Sequence, residues 1–181
     1  MFCGDMIRGL KGHSMKWLGV LAGALVMSIA VPAHAEDYVR LVRKAKVLTF
    51  KDAKPVPVSS SERLRSVANL ELQDGKYIDD CNHPVTPRSI PLDLGKTLPD
   101  VRAVFVQDSA CYGAGESSLT ILDGNDRVIW QDNATSVAVL SSANGKVSDL
   151  AFQETAPTFS VWRWNASGHV YEMLENVELP D

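Results

Sequence analysis

The chain has 181 residues, of which 45% are hydrophobic, and its 22 acidic and 18 basic residues give a formal net charge of −4. This length is enough for one compact domain with its own hydrophobic core. The net charge is slightly acidic, and we expect no nucleic-acid partner.

The N-terminus has the pattern of a secretory signal peptide. Residues 15–17 are a short basic start, residues 18–31 are almost wholly apolar, and residues 33–35 form a small-x-small cleavage site. The apolar run has 14 residues, fewer than the roughly 20 that a membrane-spanning helix needs. We predict a signal peptide over residues 1–35, with Met15 as an alternative start, and a periplasmic or secreted bacterial product without a transmembrane segment.

Cleavage would remove Cys3 and leave two cysteines, Cys81 and Cys111. In an oxidising compartment two cysteines most often form one disulfide, worth roughly 3.6 kcal/mol for this loop in the chain-entropy model. The alternative is a reactive or metal-binding thiol pair, which their distance from a C-x-x-C spacing disfavours.

Charge divides the mature chain into two parts. Residues 36–65 carry eight basic and four acidic side chains, whereas residues 66–181 carry seven basic and seventeen acidic ones. We interpret residues 36–66 as a basic N-terminal arm and residues 67–181 as a single β-rich domain. The arm either seeks an anionic envelope polymer or membrane, or lies against its own acidic body; its interspersed apolar residues favour the second.

The first elements of the mature chain are ambiguous. Residues 38–50 fit both a helical stripe and a strand. Ser59 and Glu62 have the spacing of a capping box before a short helix. The alternative for the segment that follows is a hairpin, with strands over residues 68–72 and 76–78 and a turn at residues 74–75. Residues 82–99 hold four of the nine prolines and are predicted to be loop-rich.

Residues 101–111 are the densest apolar run outside the N-terminal region, and we predict a strand that is covered on both faces and ends at Cys111. From there the pattern is uniformly β. Paired apolar runs flank the turn residues 123–126, 144–145 and 165–168, which indicates successive hairpins. The predicted fold is mainly β (α+β at most), an antiparallel sheet in a sandwich or single-blade arrangement, with room for a short N-terminal helix.

Residues 90–175 resemble secreted bacterial proteins that carry a single FG-GAP/VCBS-like β unit. The resemblance rests on the segment GKVSDL at residues 145–150 and on a later W-x-W-N-x-x-G-x-x-Y motif at residues 162–171. It implies a β architecture and an acidic, calcium-binding loop before the first strand. Here that loop has only Asp93 and Asp100 as carboxylates, with Lys96 and Pro99 between them, so we expect no metal and no cofactor.

The catalytic motifs that we searched for do not occur. The mature chain lacks H-E-x-x-H, G-x-S-x-G and a phosphate-binding glycine loop. One polar cluster, Asp79, Asp80 and His83, could serve as a carboxylate–imidazole site. The alternative is a turn in which Asp and Asn side chains cap their own backbone beside the disulfide, and this interpretation is favoured.

The C-terminal hairpin offers an aromatic surface. Period-two alternation places Trp162 and Trp164 on one face, with Tyr171 across the turn. Such a face either packs into the core, which is the commoner use, or binds a partner or glycan. We therefore predict a non-enzymatic binding module, an inhibitor or envelope-associated factor whose partner is a protein or envelope polymer. The alternative is an envelope-polymer hydrolase using Asp79, Asp80 and His83.

Overall fold

The computed structural model describes residues 33–60, 69–115, 117–141 and 147–179. Three predictions lie wholly or largely outside these residues. They are the signal peptide over residues 1–35, of which only 33–35 are described, the helix expected after the Ser59 capping box, and the turn at residues 144–145.

The described residues contain one α-helix and thirteen strands. They are α1 (Ala33–Lys44), β1 (Val47–Thr49), β2 (Lys54–Pro55), β3 (Glu71–Gln73), β4 (Lys76–Ile78), β5 (Pro84–Val85), β6 (Arg88–Leu92), β7 (Val101–Gln107), β8 (Ser117–Leu122), β9 (Val128–Asp132), β10 (Ser136–Val139), β11 (Leu150–Gln153), β12 (Thr158–Asn165) and β13 (Val170–Glu178). Among these elements no helix is both long and apolar enough to cross a membrane.

The strands form three antiparallel sheets, which confirms the predicted mainly β class. Sheet A has the order β1-β10-β11-β12-β13, sheet B the order β2-β6-β7-β8-β9, and sheet C the order β3-β4-β5. The largest core cluster contains residues from the facing sides of sheets A and B, so these two sheets form a sandwich.

Strand β7 is the middle strand of sheet B and is covered on both faces, as its sequence predicts. Ala103 and Phe105 point into the core shared with sheet A, whereas Val104 and Val106 pack against Tyr77 of sheet C. A strand with two buried faces has no polar side, which explains its continuous apolar sequence.

One strand boundary and one loop segment differ from the prediction. Strand β7 ends at Gln107, and Cys111 lies in the 3₁₀ segment Ala110–Gly115 that follows a left-handed Asp108. Within residues 82–99, predicted as loop, Arg88–Leu92 forms β6 and pairs along its whole length with β7. Its Pro91 is tolerated because β2 pairs with β6 only at Arg88 and Ser89, so no ladder bond is needed further along that side.

Helix α1 covers the outer face of sheet A. The sequence was ambiguous between helix and strand over residues 38–50, and the structure has both, α1 followed by β1, which pairs with β10. The buried residues of this second core include Tyr38 and Val42 from the helix and Phe159, Val161 and Val177 from the sheet. Residues expected to form a basic arm thus contribute to the body of the protein.

A polar contact fixes the helix on the sheet. The Tyr38 hydroxyl donates to the buried carboxylate of Asp149 at 2.7 Å, and the Arg163 guanidinium donates to the same carboxylate at 2.9 Å. Arg163 also donates to the Tyr38 hydroxyl. Burial, the bond to Asp149 and its negative charge together raise the pKa of Tyr38 to about 12, so the phenol keeps its proton.

A β-bulge in the last hairpin lets both faces of sheet A be filled. The register of β12 and β13 shifts between Val161 and Trp162, which leaves Leu174 as the extra residue. As a result Tyr171 packs in the core between the sheets, whereas Val177, further along the same strand, packs under α1.

Cys81 and Cys111 lie as predicted for a disulfide. Their Cα atoms are 5.7 Å apart and their sulfur atoms are at bonding distance. The pair links the end of sheet C to the segment that follows β7.

We expect reduction, or replacement of both cysteines by alanine, to lower the free energy of unfolding by roughly 3 kcal/mol, because the unfolded chain regains the freedom of the closed loop. Urea unfolding of the oxidised and reduced protein measures this difference. Thiol titration of the unfolded, purified protein should find no free thiol from this pair, and two free thiols would contradict the disulfide.

Tyr38→Phe should lower the free energy of unfolding by about 1 kcal/mol, because it removes one hydrogen bond to a buried carboxylate and leaves the ring packed. Arg40→Ala is the control, since it breaks an exposed ion pair with Asp37 on the same helix and should cost less than about 0.5 kcal/mol. Equal effects of the two substitutions in urea unfolding would show that the Tyr38 contact does not hold the helix.

Candidate functional site

The three residues of the predicted polar cluster lie in the turn after β4. The Asp79 carboxylate is buried, and its Oδ1 accepts hydrogen bonds from the amides of Cys81 at 2.9 Å and His83 at 2.8 Å. Its Oδ2 accepts the hydroxyl of Ser109. Asp80 is exposed. The carboxylate therefore connects its own turn to the segment that follows β7.

The electrostatics of Asp79 are those of a structural carboxylate. Burial alone would raise its pKa, but the hydrogen bonds from Ser109 and the two amides, with nearby His83, lower it below its ordinary value. His83 Nδ1 lies 3.8 Å from Asp79 Oδ2, and the His83 side chain is half exposed. A general base needs a free lone pair directed at substrate, whereas this carboxylate already accepts three hydrogen bonds.

Two positions could be considered for a metal ion, the Asp79–disulfide cluster and the 93–100 loop, and the donor groups at both argue against one. Asp79 lies close to both cysteine sulfur atoms, but sulfurs joined in a disulfide are not the thiolates that metal ions bind. In the 93–100 loop, Asp93 accepts the amide of Gly95 at 3.1 Å, and both Asp93 and Asp100 are exposed. The expectation that this loop binds no calcium stays a prediction.

The aromatic residues of the C-terminal hairpin are shared between core and surface. Trp164 contacts His169 and Tyr171, with ring centroids 5.8 and 5.5 Å away, and Tyr171 is buried and donates to the carbonyl of Ser148 at 2.8 Å. Both tryptophans are half-buried and pack against the inter-sheet core. The structure brings Trp164 and Tyr171 into contact, whereas Trp162 lies in a separate aromatic group.

Trp162 is held in one orientation from two sides. Its ring makes edge contacts with Trp130 and Phe152, at centroid distances of 5.8 and 6.5 Å and interplanar angles of 81° and 79°. Its indole nitrogen donates to the Ser160 hydroxyl at 3.0 Å. Restricted on both sides, the ring is pre-organised and would lose little freedom on contact with a ligand.

A groove of about 370 Å³ opens beside Trp162, where β9 ends. Its lining combines an apolar wall with hydroxyl and carboxylate groups, chiefly Asp132, Glu154, Thr158, Ser160, Trp162 and Met173. The volume lies in the usual range for sites that bind small organic ligands. Six of the nine lining residues are polar, so the groove is more polar than most such sites.

Sequence analysis identified Trp162 but missed the carboxylates of this groove. Asp132 is the last residue of β9 in sheet B, and Glu154 follows β11 in sheet A. No motif joins them, because only the packing of one sheet on the other brings them to the same groove. The sole sequence signal was that each is an acidic residue at the end of a predicted strand.

A smaller cavity of about 170 Å³ shares Glu154 and Thr155 with the groove. Tyr112 lines it, and burial together with the charges of Asp79 and Asp80 raises the pKa of this tyrosine to about 12. The buried Ser117 hydroxyl, also in the lining, has no hydrogen-bond partner among the described residues. The groove and the smaller cavity thus share part of their lining and together form one larger polar region.

Asp79→Asn should destabilise the protein at neutral pH and make its stability less sensitive to acid. The pKa of Asp79 is lower in the folded protein than the value of about 4 in the unfolded chain, so its stabilisation is present above that value and is lost as pH falls. Urea unfolding between about pH 7 and pH 3 measures this slope. The exposed neighbour provides the control: a similar effect of Asp80→Asn would contradict a role specific to the buried carboxylate.

Comparison of the chain with protein-family models, with curated proteins and with solved structures finds no match. The groove beside Trp162 combines a concave surface with an aromatic ring held in place, and it is the candidate binding site.

Proposed function

We propose that this protein is a non-enzymatic binding module, exported to the periplasm or secreted, that holds its ligand in the groove beside Trp162. Such a module would act as an envelope-associated factor or an inhibitor. The observation that carries the proposal is the fixed, half-buried indole ring of Trp162 on the wall of a groove of about 370 Å³. Rigid aromatic anchors in concave sites contribute a large share of binding energy.

Export is supported by the signal-peptide pattern and by the cysteine pair. A disulfide persists in oxidising compartments and is rare in the cytosol, and Cys81 and Cys111 lie at disulfide distance. The alternative of an envelope-polymer hydrolase has less support, because the Asp79 carboxylate is engaged by Ser109 and two backbone amides.

Soluble disaccharide-peptide fragments of peptidoglycan are a suitable first probe, since they present sugar, amine and carboxylate groups of the envelope. Titrating them into the purified ¹⁵N-labelled protein should produce a saturable shift of the Trp162 indole resonance. In isothermal titration calorimetry, which does not need the Trp162 indole signal, Trp162→Leu should weaken binding about tenfold or more, as expected for loss of an aromatic anchor. Trp164→Leu, outside the groove lining, should leave binding unchanged.

Equal binding by the wild type and Trp162→Leu, or shifts only around His83, would contradict the proposed site. Chromatography of the fragments after incubation provides the test of the enzyme alternative. Cleavage products that disappear in His83→Ala would favour a hydrolase over a binding module.

A further inference from the structure

We propose that the groove recognises a positively charged alkylammonium group, seated against the Trp162 ring and held by the carboxylates of Asp132 and Glu154. This inference rests on the proposed function and names its ligand class. The observation behind it is that, among the described residues, every ionisable side chain lining the groove is acidic.

Asp132 and Glu154 are exposed, and they differ from three other acids of the protein in having no basic partner among the described residues. Asp123 is paired with Arg127, Asp126 with Arg102 and Asp149 with Arg163. In contrast, no hydrogen bond or ion pair joins Glu154 to any described residue, and Asp132 accepts only the amide of the next residue, Asn133, at 2.8 Å.

The arginines of these three pairs do not line the groove, so the ionisable groups of its lining contribute negative charge only. Two carboxylates beside a partly desolvated wall attract a cation more strongly than the same charges on open surface. A ligand with one positive charge would form an ion pair with these carboxylates, as arginine side chains do with aspartates at three other sites of the protein.

The aromatic wall is suited to the same group. Because the indole nitrogen of Trp162 already donates to Ser160, the residue offers a ligand its ring rather than a hydrogen-bond donor. The face of an indole ring attracts ammonium groups through its quadrupole. Met173, 52% exposed, lies across from Trp162 in the strand pair and supplies a polarisable surface for the alkyl part.

Choline and its uncharged isostere 3,3-dimethyl-1-butanol separate charge from shape. In NMR titrations that follow the Trp162 indole, choline should bind at least fivefold more tightly than the alcohol. Its binding should weaken several-fold in Glu154→Gln and in Asp132→Asn and also with rising salt. Glu172→Gln makes the same change of net charge on β13 outside the groove, and should leave choline binding unchanged.

Equal affinity for the two probes would overturn the proposal, as would an equal loss in Glu172→Gln and Glu154→Gln. Tight binding of an uncharged saccharide that Glu154→Gln leaves intact would also overturn it. If peptidoglycan fragments still shift Trp162 while choline shows no preference, the binding function stands and only the ligand class is wrong. If neither probe nor fragments shift Trp162, both proposals are wrong.

Discussion

The stack of Trp130 on Phe152 is the contact on which the sandwich depends. The two rings come from β9 and β11, in different sheets, and lie parallel with centroids 3.5 Å apart. Large aromatic surfaces removed from water contribute more to a core of this size than any single polar contact. Because flat rings stack in few arrangements, the pair also sets how β9 lies over β11.

That arrangement determines where the groove opens. Strand β9 is the edge of sheet B and ends at Asp132, whereas sheet A continues from β11 to β12 and β13. Trp162 packs its ring against the Trp130–Phe152 stack, so the wall of the groove is an extension of the core. A binding surface built in this way is rigid because the fold itself requires the position of the ring.

The sequence predicts features that depend on neighbouring residues, and it does not predict contacts between residues far apart in the chain. Strand β7 follows from a continuous apolar run and the last hairpin from alternation and turn residues, all within about ten positions. The pairing of the two cysteines follows from their number and from the predicted export. Strand β6 was missed because its proline reads as a loop signal, although the missing N–H falls where no neighbour needs it. The meeting of Asp132 with Glu154 depends on sheet packing, which has no signature in a single sequence.

The position of α1 has a consequence for how the chain folds. Tyr38 meets Asp149 and Arg163 across 111 and 125 positions of sequence, and β1 pairs with β10 only after most of the chain exists. Closing such long loops costs entropy before any contact repays it, which slows folding. The apolar face of the first helix is thus covered by residues that come more than a hundred positions later in the sequence, among them Phe159, Val161 and Val177.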